Sequence, residues 1–159
     1  MPILLYRVDE RLIHGQVVVG WGSKLHPDRY VVVDRTVAQS EWEQELYALG
    51  IPPGTEAIFC TAEEAGRQLD AWRESELRTV LLTRDVETML ELAREDDLGG
   101  REVNLGGIHF RKGRKEVLSY LYLDEQDREA LRELAARGVH VSARDLPGSP
   151  EVDLDDLTG

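Results

Sequence analysis

The chain of 159 residues has a single cysteine, Cys60, which excludes an internal disulfide and any Cys-rich zinc site. No apolar run approaches the roughly 18–20 residues that a membrane-spanning helix requires. The opening Met1-Pro2-Ile3-Leu4-Leu5-Tyr6-Arg7 lacks a basic n-region, a long apolar stretch and a small-residue cleavage site, so no secretory signal is predicted. A cytoplasmic protein is expected. Basic residues are scarce, 19 against 31 acidic ones, for a formal charge of −12. That balance argues against nucleic acid as a partner, because such binding depends on Lys and Arg neutralising phosphates. Nucleotide loops are missing too. Gly15, Gly20 and Gly22 do not spell Gly-x-Gly-x-x-Gly, and no Gly-Lys-Ser/Thr follows Gly20.

What is present fits a globular protein, with 42% hydrophobic and 31% charged residues. The length suits one domain, 1–159, whose acidic segment 147–159 is expected to fray. Ile3 to Val8 reads as a buried strand, and Tyr30 to Val33, Glu56 to Cys60, Thr79 to Thr83 and Glu102 to Leu105 repeat the pattern. Helices are predicted between them. Ser40-Glu41-Trp42-Glu43 and Thr61-Ala62-Glu63-Glu64 are capping-box patterns, and a further helix runs from about Val86 to Arg94. Gln16 to about Lys24 is valine-rich, so its propensity favours a strand, but the downstream βα rhythm makes it a helix. Glu116 to Leu123 predicts one or two short strands. Asp124 caps a helix that Gly138 ends, and Val139-His140-Val141 is a last strand. The fold class predicted is α/β, an open, mainly parallel β-sheet with helices on both faces.

In such sheets ligands bind beyond the carboxyl ends of the strands. That rule selects the loops Asp9 to His14, Asp34 to Thr36, Arg84-Asp85 and Gly106 to Arg111. The basic islands are Arg7 with Arg11, and Arg111 to Lys115, an arrangement suited to a small anionic group rather than a polyanion. His14 stands just before a predicted helix, where amide groups and the helix dipole favour an anion. Gly15 lets a bulky group approach the backbone. Arg11 and Arg7 offer guanidinium donors for phosphate oxygens, and Asp9 can orient the imidazole. This set has the makings of a phosphohistidine site, although a lone loop histidine is more often an ordinary surface residue.

The run Arg7-Val8-Asp9-Glu10-Arg11-Leu12-Ile13-His14-Gly15-Gln16-Val17 closely resembles the segment around the phosphorylated histidine of IIB components of the mannose/fructose/sorbose family of sugar phosphotransferase systems (PTS). Val31-Val32-Val33 with Val37-Ala38, Pro52-Pro53-Gly54, Val103 to Phe110 with Gly113, and Arg137-Gly138-Val139 resemble further family segments at similar spacing, over nearly the whole chain. The resemblance implies a cytoplasmic phosphotransferase, a phosphocarrier subunit. It would accept phosphate on His14 from a IIA domain and pass it to a sugar during uptake through the membrane components IIC and IID. It implies catalytic roles for His14, Arg11 and Asp9, and phosphate-binding or supporting roles for Gly15, Arg7, Asp34, Arg35, Gly106 and Gly107. It leans to Nδ1 as the phosphorylated ring nitrogen. No cofactor and no metal is implied, and the choice between monomer and homodimer stays open. Where the family usually carries an acidic pair after its second strand, this chain reads Asp34-Arg35-Thr36.

Other readings compete. His109 is either a helper that donates to phosphate or a semi-exposed neighbour of Phe110, and the latter is favoured. His26 and His140 read as structural or surface residues. Cys60 is followed by two glutamates, and Arg67 misses the Cys-x5-Arg spacing, so a buried small residue is the better reading. Trp21, Trp42 and Trp72 read as packing residues. The sequence alone leaves open a regulatory phosphohistidine protein uncoupled from transport and a non-covalent phospho-ligand module.

Overall fold

The computed structural model describes residues 2–158. A seven-stranded sheet runs in the order β3-β2-β4-β1-β5-β8-β9. Its strands are β1 (Ile3–Val8), β2 (Arg29–Val33), β3 (Glu56–Cys60), β4 (Thr79–Thr83), β5 (Glu102–Leu105), β8 (His140–Ala143) and β9 (Val152–Asp153). All pairings are parallel except the antiparallel β8–β9 edge. A separate hairpin joins β6 (Lys115–Leu118) to β7 (Leu121–Leu123). The helices are α1 (Gly22–Leu25), α2 (Arg35–Ala38), α3 (Glu41–Ala48), α4 (Ala62–Glu74), α5 (Val86–Glu95), α6 (Glu125–Ala136) and α7 (Leu154–Thr158).

The strand period of two divides the core between the two faces. Val31, Val33 and Leu81 join the larger cluster, which packs under α4, α5 and α6 through Leu69, Trp72, Met89 and Leu131. Tyr30, Val32, Val80 and Leu82 point the other way, into a smaller cluster with Leu12, Ile13, Val17 and Val37. Central strands buried on both faces therefore read as continuous apolar runs, as in β2 and β4.

Valine propensity loses at Gln16–Trp21. This segment winds as a wide π-helical turn that runs straight into α1, burying Val17 and Trp21 while Val19, which a strand would put on their face, is exposed. His26, in the left-handed region at φ 50°, closes α1. The capping box at Thr61 forms, as does one at Asp124. At Ser40 no side-chain cap forms. There Gln44 Nε2 instead donates to the carbonyls of Val37 and Ala38 at the end of α2. Toward the end of the chain β9 pairs with β8 and α7 buries Leu157.

Candidate functional site

The order β2-β4-β1-β5 brings the carboxyl ends of four parallel strands side by side. Their loops are tied together. Asp9 N donates to the Thr83 carbonyl at 2.9 Å, Glu10 N to the Gly107 carbonyl at 2.8 Å, and Arg84 Nε faces Asp34 Oδ1 at 3.5 Å.

Asp9 is the hub. Its carboxylate is fully buried and accepts from Arg7 Nη2 at 3.1 Å, from the Arg11 amide at 3.1 Å, from Arg11 Nε at 3.2 Å and from the Gly107 amide at 3.3 Å. Two guanidinium groups and two amides surround the carboxylate, the partnering that a buried acidic group requires. Arg7 is also fully buried. It donates to the Asn104 side-chain carbonyl, to the Arg144 carbonyl at 2.8 Å and to the Asp145 carbonyl at 3.0 Å. Burial lowers its pKa from the ordinary value while Asp9 opposes the shift, and a guanidinium stays charged in either case. Arg7 therefore supports Asp9 from below and is not presented to solvent. Arg11, partly exposed, spans Asp9 and Gln16 Oε1, the latter at 2.9 Å.

After Asp9 the chain turns, with Leu12 N donating to the Asp9 carbonyl at 2.9 Å. Leu12 takes φ 57°, a left-handed conformation that an L-residue adopts at a cost, and one that concentrates at functional sites. Its buried side chain anchors the turn, and its carbonyl is aimed at His14 Nδ1, 2.8 Å away. A carbonyl can only accept, so Nδ1 carries the proton and Nε2 holds the lone pair. Nε2 lies buried 3.6 Å from Asp9 Oδ2 with no hydrogen-bond partner among the described residues. Burial pushes the His14 pKa below its ordinary value of 6.5; Asp9 and the Leu12 carbonyl pull it up, and Arg11 and Arg7 push it down. The neutral, nucleophilic ring is favoured at pH 7. Gly15 opens the helix beyond it, and a Cβ there would meet nothing within 4 Å.

Gly106 and Gly107 leave room for the two guanidinium groups. A Cβ on Gly106 would collide with the Arg7 guanidinium and lie 2.6 Å from Asp9 Oδ2, and one on Gly107 would lie 2.9 Å from Arg11 Nη2. Asp34 and Arg35 form no hydrogen bond or ion pair with Asp9, Arg11 or His14 among the described residues. Asp34 caps α2 by accepting from the Val37 amide at 3.0 Å, while Arg35 is exposed at the first position of that helix. His109 is turned to Glu10, with Nδ1 2.9 Å from Oε2, and buried Arg114 holds its carbonyl at 3.1 Å. Cys60 is buried, and its thiol is pushed up to about 12 by burial and by Glu64.

Leu12, Gln16 and Asn104 are participants that the sequence reading passed over. Only Asn104 had a signal, a polar residue inside an otherwise apolar strand.

The profile of the family described as PTS system sorbose subfamily IIB component matches residues 3–159. The chain is 35% identical over 157 residues to the N-acetylgalactosamine-specific phosphotransferase enzyme IIB component 1 of Escherichia coli K12, covering 97% of each chain. It is 33% identical to the mannose-specific EIIAB component of the same strain, covering 99% of this chain and 48% of that one. The crystal structure of the IIBSor domain of the Klebsiella pneumoniae sorbose permease superposes with a TM-score of 0.86 at 30% identity, over 98% of this chain and 96% of that one. Family membership favours a phosphocarrier in sugar uptake over the regulatory and binding-only readings. The chain belongs to the sorbose-subfamily IIB components of the sugar phosphotransferase systems, phosphotransferases that relay phosphate toward sugar.

Proposed function

We propose that His14 is the residue that carries the phosphoryl group, taking it from a phosphohistidine on a IIA domain and delivering it to a sugar at the IIC and IID components. The observation that carries this reading is a largely buried imidazole, favoured in its neutral form, between Asp9 and the open space at Gly15. The lone pair of a His14 ring nitrogen attacks phosphorus in line. The N–P bond of the donor histidine breaks, and its electron pair returns to the donor ring, which picks up a proton. Arg11, anchored by Asp9 and Gln16, stabilises the equatorial charge together with amides of the loop. A charged, phosphorylated ring is held beside a guanidinium and a helix start, while Asp9 keeps Arg11 in place.

In the described orientation neither ring nitrogen faces outward, since Nδ1 is bonded to Leu12 and Nε2 is buried. The ring turns off the Leu12 carbonyl when the donor docks, its proton shifts from Nδ1 to Nε2 on the Asp9 side, and the lone pair left on Nδ1 is the one that attacks. The IIA partner is supported by the mannose-specific relative, whose name joins A and B in one chain. The protein works in the cytoplasm and meets the membrane only through IIC and IID.

The test is phosphate relay in vitro. The protein and its His14→Ala variant are incubated with phosphoenolpyruvate, Enzyme I, the histidine phosphocarrier protein and a IIA domain. Intact mass should rise by one acid-labile phosphoryl group in the protein and not in the variant. A phosphorylated His14→Ala protein would overturn the assignment.

A further inference from the structure

Behind the His14 site lies a second feature that phosphate relay does not use. Between the helical segment Gln16–Leu25 and strands β1 and β5 is a cavity of about 430 Å³, a volume within the range of small-molecule sites, about 300–1,000 Å³. Two clefts of similar volume, about 440 and 470 Å³, are lined almost wholly by charged and polar side chains. This one differs in chemistry. Leu5, Trp21 and Leu25 give it an apolar wall, and Lys24, Arg101 and Arg144 set three positive charges against the carboxylate of Glu102. Glu151 faces Arg144 at 3.7 Å without lining the cavity. Three of the four charged side chains that line it are basic, on a chain whose formal charge is −12. The Nε of Arg144 is buried and has no acceptor among the described residues. An apolar wall, a positive rim and an unused buried donor together specify an organic anion with a ring-sized apolar body.

The inner wall of the cavity is also the support of Arg7. Asn104, which lines the cavity, accepts from Arg7 Nη1 through its side chain, and Arg144 accepts through its carbonyl at 2.8 Å. The Trp21 ring lies 5.1 Å from Arg7 Cζ, and its indole N–H donates to the Asp145 carbonyl that Arg7 also uses. Arg7 in turn holds Asp9 at 3.1 Å, and Asp9 Oδ2 lies 3.6 Å from His14 Nε2. A molecule seated against Trp21, Asn104 and Arg144 is thus separated from His14 by two side chains.

We propose that this cavity binds a small amphipathic organic anion and that its occupancy biases the Arg7–Asp9 pair on which His14 rests. Linkage makes the effect reciprocal: phosphorylation of His14 changes the affinity of the cavity by the same factor by which the anion changes the phosphorylation equilibrium. The coupling, though not the binding, rests on His14 being the carrier.

The probe is 8-anilinonaphthalene-1-sulfonate, which combines fused rings with one anionic group, titrated into the full chain by calorimetry. Saturable binding of one probe per chain is expected. It should weaken by about tenfold or more in the Lys24→Glu/Arg101→Glu variant, which reverses two charges of the rim. Lys24→Glu alone, at an exposed position, should weaken it in the same direction and guards against loss of fold in the double variant. On saturation the ¹⁵N signals of the His14 ring should move, and inorganic phosphate at equal concentration should not compete with the probe. No saturable binding, or binding indifferent to Lys24→Glu, would overturn the site. Competition by phosphate would overturn the amphipathic class, and still His14 signals the coupling. Failure of the relay assay with probe binding intact would count against His14 as carrier and leave the cavity standing.

Discussion

Arg7 in β1 and Asp9, one residue past the end of that strand, form an ion pair at 3.1 Å in which both side chains are wholly removed from solvent. Side chains at i and i+2 of an extended chain share a face, and the Asp9 N–H bond to the Thr83 carbonyl carries the pleat of β1 one residue past its end. The pair costs desolvation on both sides, and such a pair is weak evidence for stability. Its position says more. Asp9 spends its other lone pairs on Arg11 and the Gly107 amide, which ties the loop after β1 to the loop after β5.

Replacing Asp9 with Asn should therefore be costly twice over. The neutral amide leaves Arg7 a buried charge without its ion-pair partner, offset only by the Asp145 carboxylate, and breaking such a pair from one side costs about 3–5 kcal/mol. Arg11 also loses its anchor. Urea unfolding should show the lost stability, and phosphoryl uptake from a IIA domain should fall by about a hundredfold or more in the fraction that remains folded. Wild-type uptake in Asp9→Asn would show that Arg11 acts without its anchor.

Two glycines of the site make opposite predictions. Gly106→Ala places a methyl group on the Arg7 guanidinium and against Asp9, so the loop or the ion pair must shift, at a cost of about 1–3 kcal/mol. Gly15→Ala meets nothing within 4 Å, and thermal unfolding should stay within about 0.5 kcal/mol of the parent. Its phosphoryl uptake should nonetheless slow, because the methyl group occupies space in front of His14. Thermal melts beside single-turnover transfer rates separate the two cases. A Gly15→Ala protein with unchanged transfer would mean that the phosphoryl group does not use that space.

Cys60 should be inert in the native protein. Its thiol, buried in the larger core cluster, is pushed up to about 12, so almost no thiolate exists at pH 8. Ellman's reagent should release no colour from the folded chain and one equivalent in denaturant. Fast native labelling would show that β3, at the edge of the sheet, opens far more readily than its burial implies.

The alternation of strands and helices was legible because each repeat rests on local period and caps, as at Thr61 and Asp124. The wide turn at Gln16–Trp21 was legible only from the rhythm around it, since its valines favour a strand. His14, Asp9 and Arg11 stood out because they share one short loop. Asn104 and the carbonyls of Arg144 and Asp145 did not, since they reach Arg7 across the sheet from about 100 residues or more away in sequence. The pairing of the acidic segment with the sheet was hidden for a similar reason. Composition registers Asp153, Asp155 and Asp156, whereas the packing depends on Leu157 finding the core under α6 and β8.

The state of His14 should be visible in the stability of the whole protein. Its native pKa lies below the ordinary value of 6.5, chiefly because burial disfavours the imidazolium. Below pH 6.5 the unfolded chain therefore binds more protons at this position than the folded one does, and stability falls as pH falls. Above that value both states are neutral and the contribution is constant. The His14→Gln variant keeps a hydrogen-bonding side chain but has nothing to titrate. Unfolding free energies from pH 7.5 down to pH 5 should decline less steeply for the variant than for the parent, with the two curves parallel above pH 7. A parent curve no steeper than that of the variant would mean that Asp9 and Leu12 stabilise the imidazolium enough to cancel its burial. In that case His14 would have to lose a proton before it could attack phosphorus, and phosphoryl uptake would rise with pH through that same range.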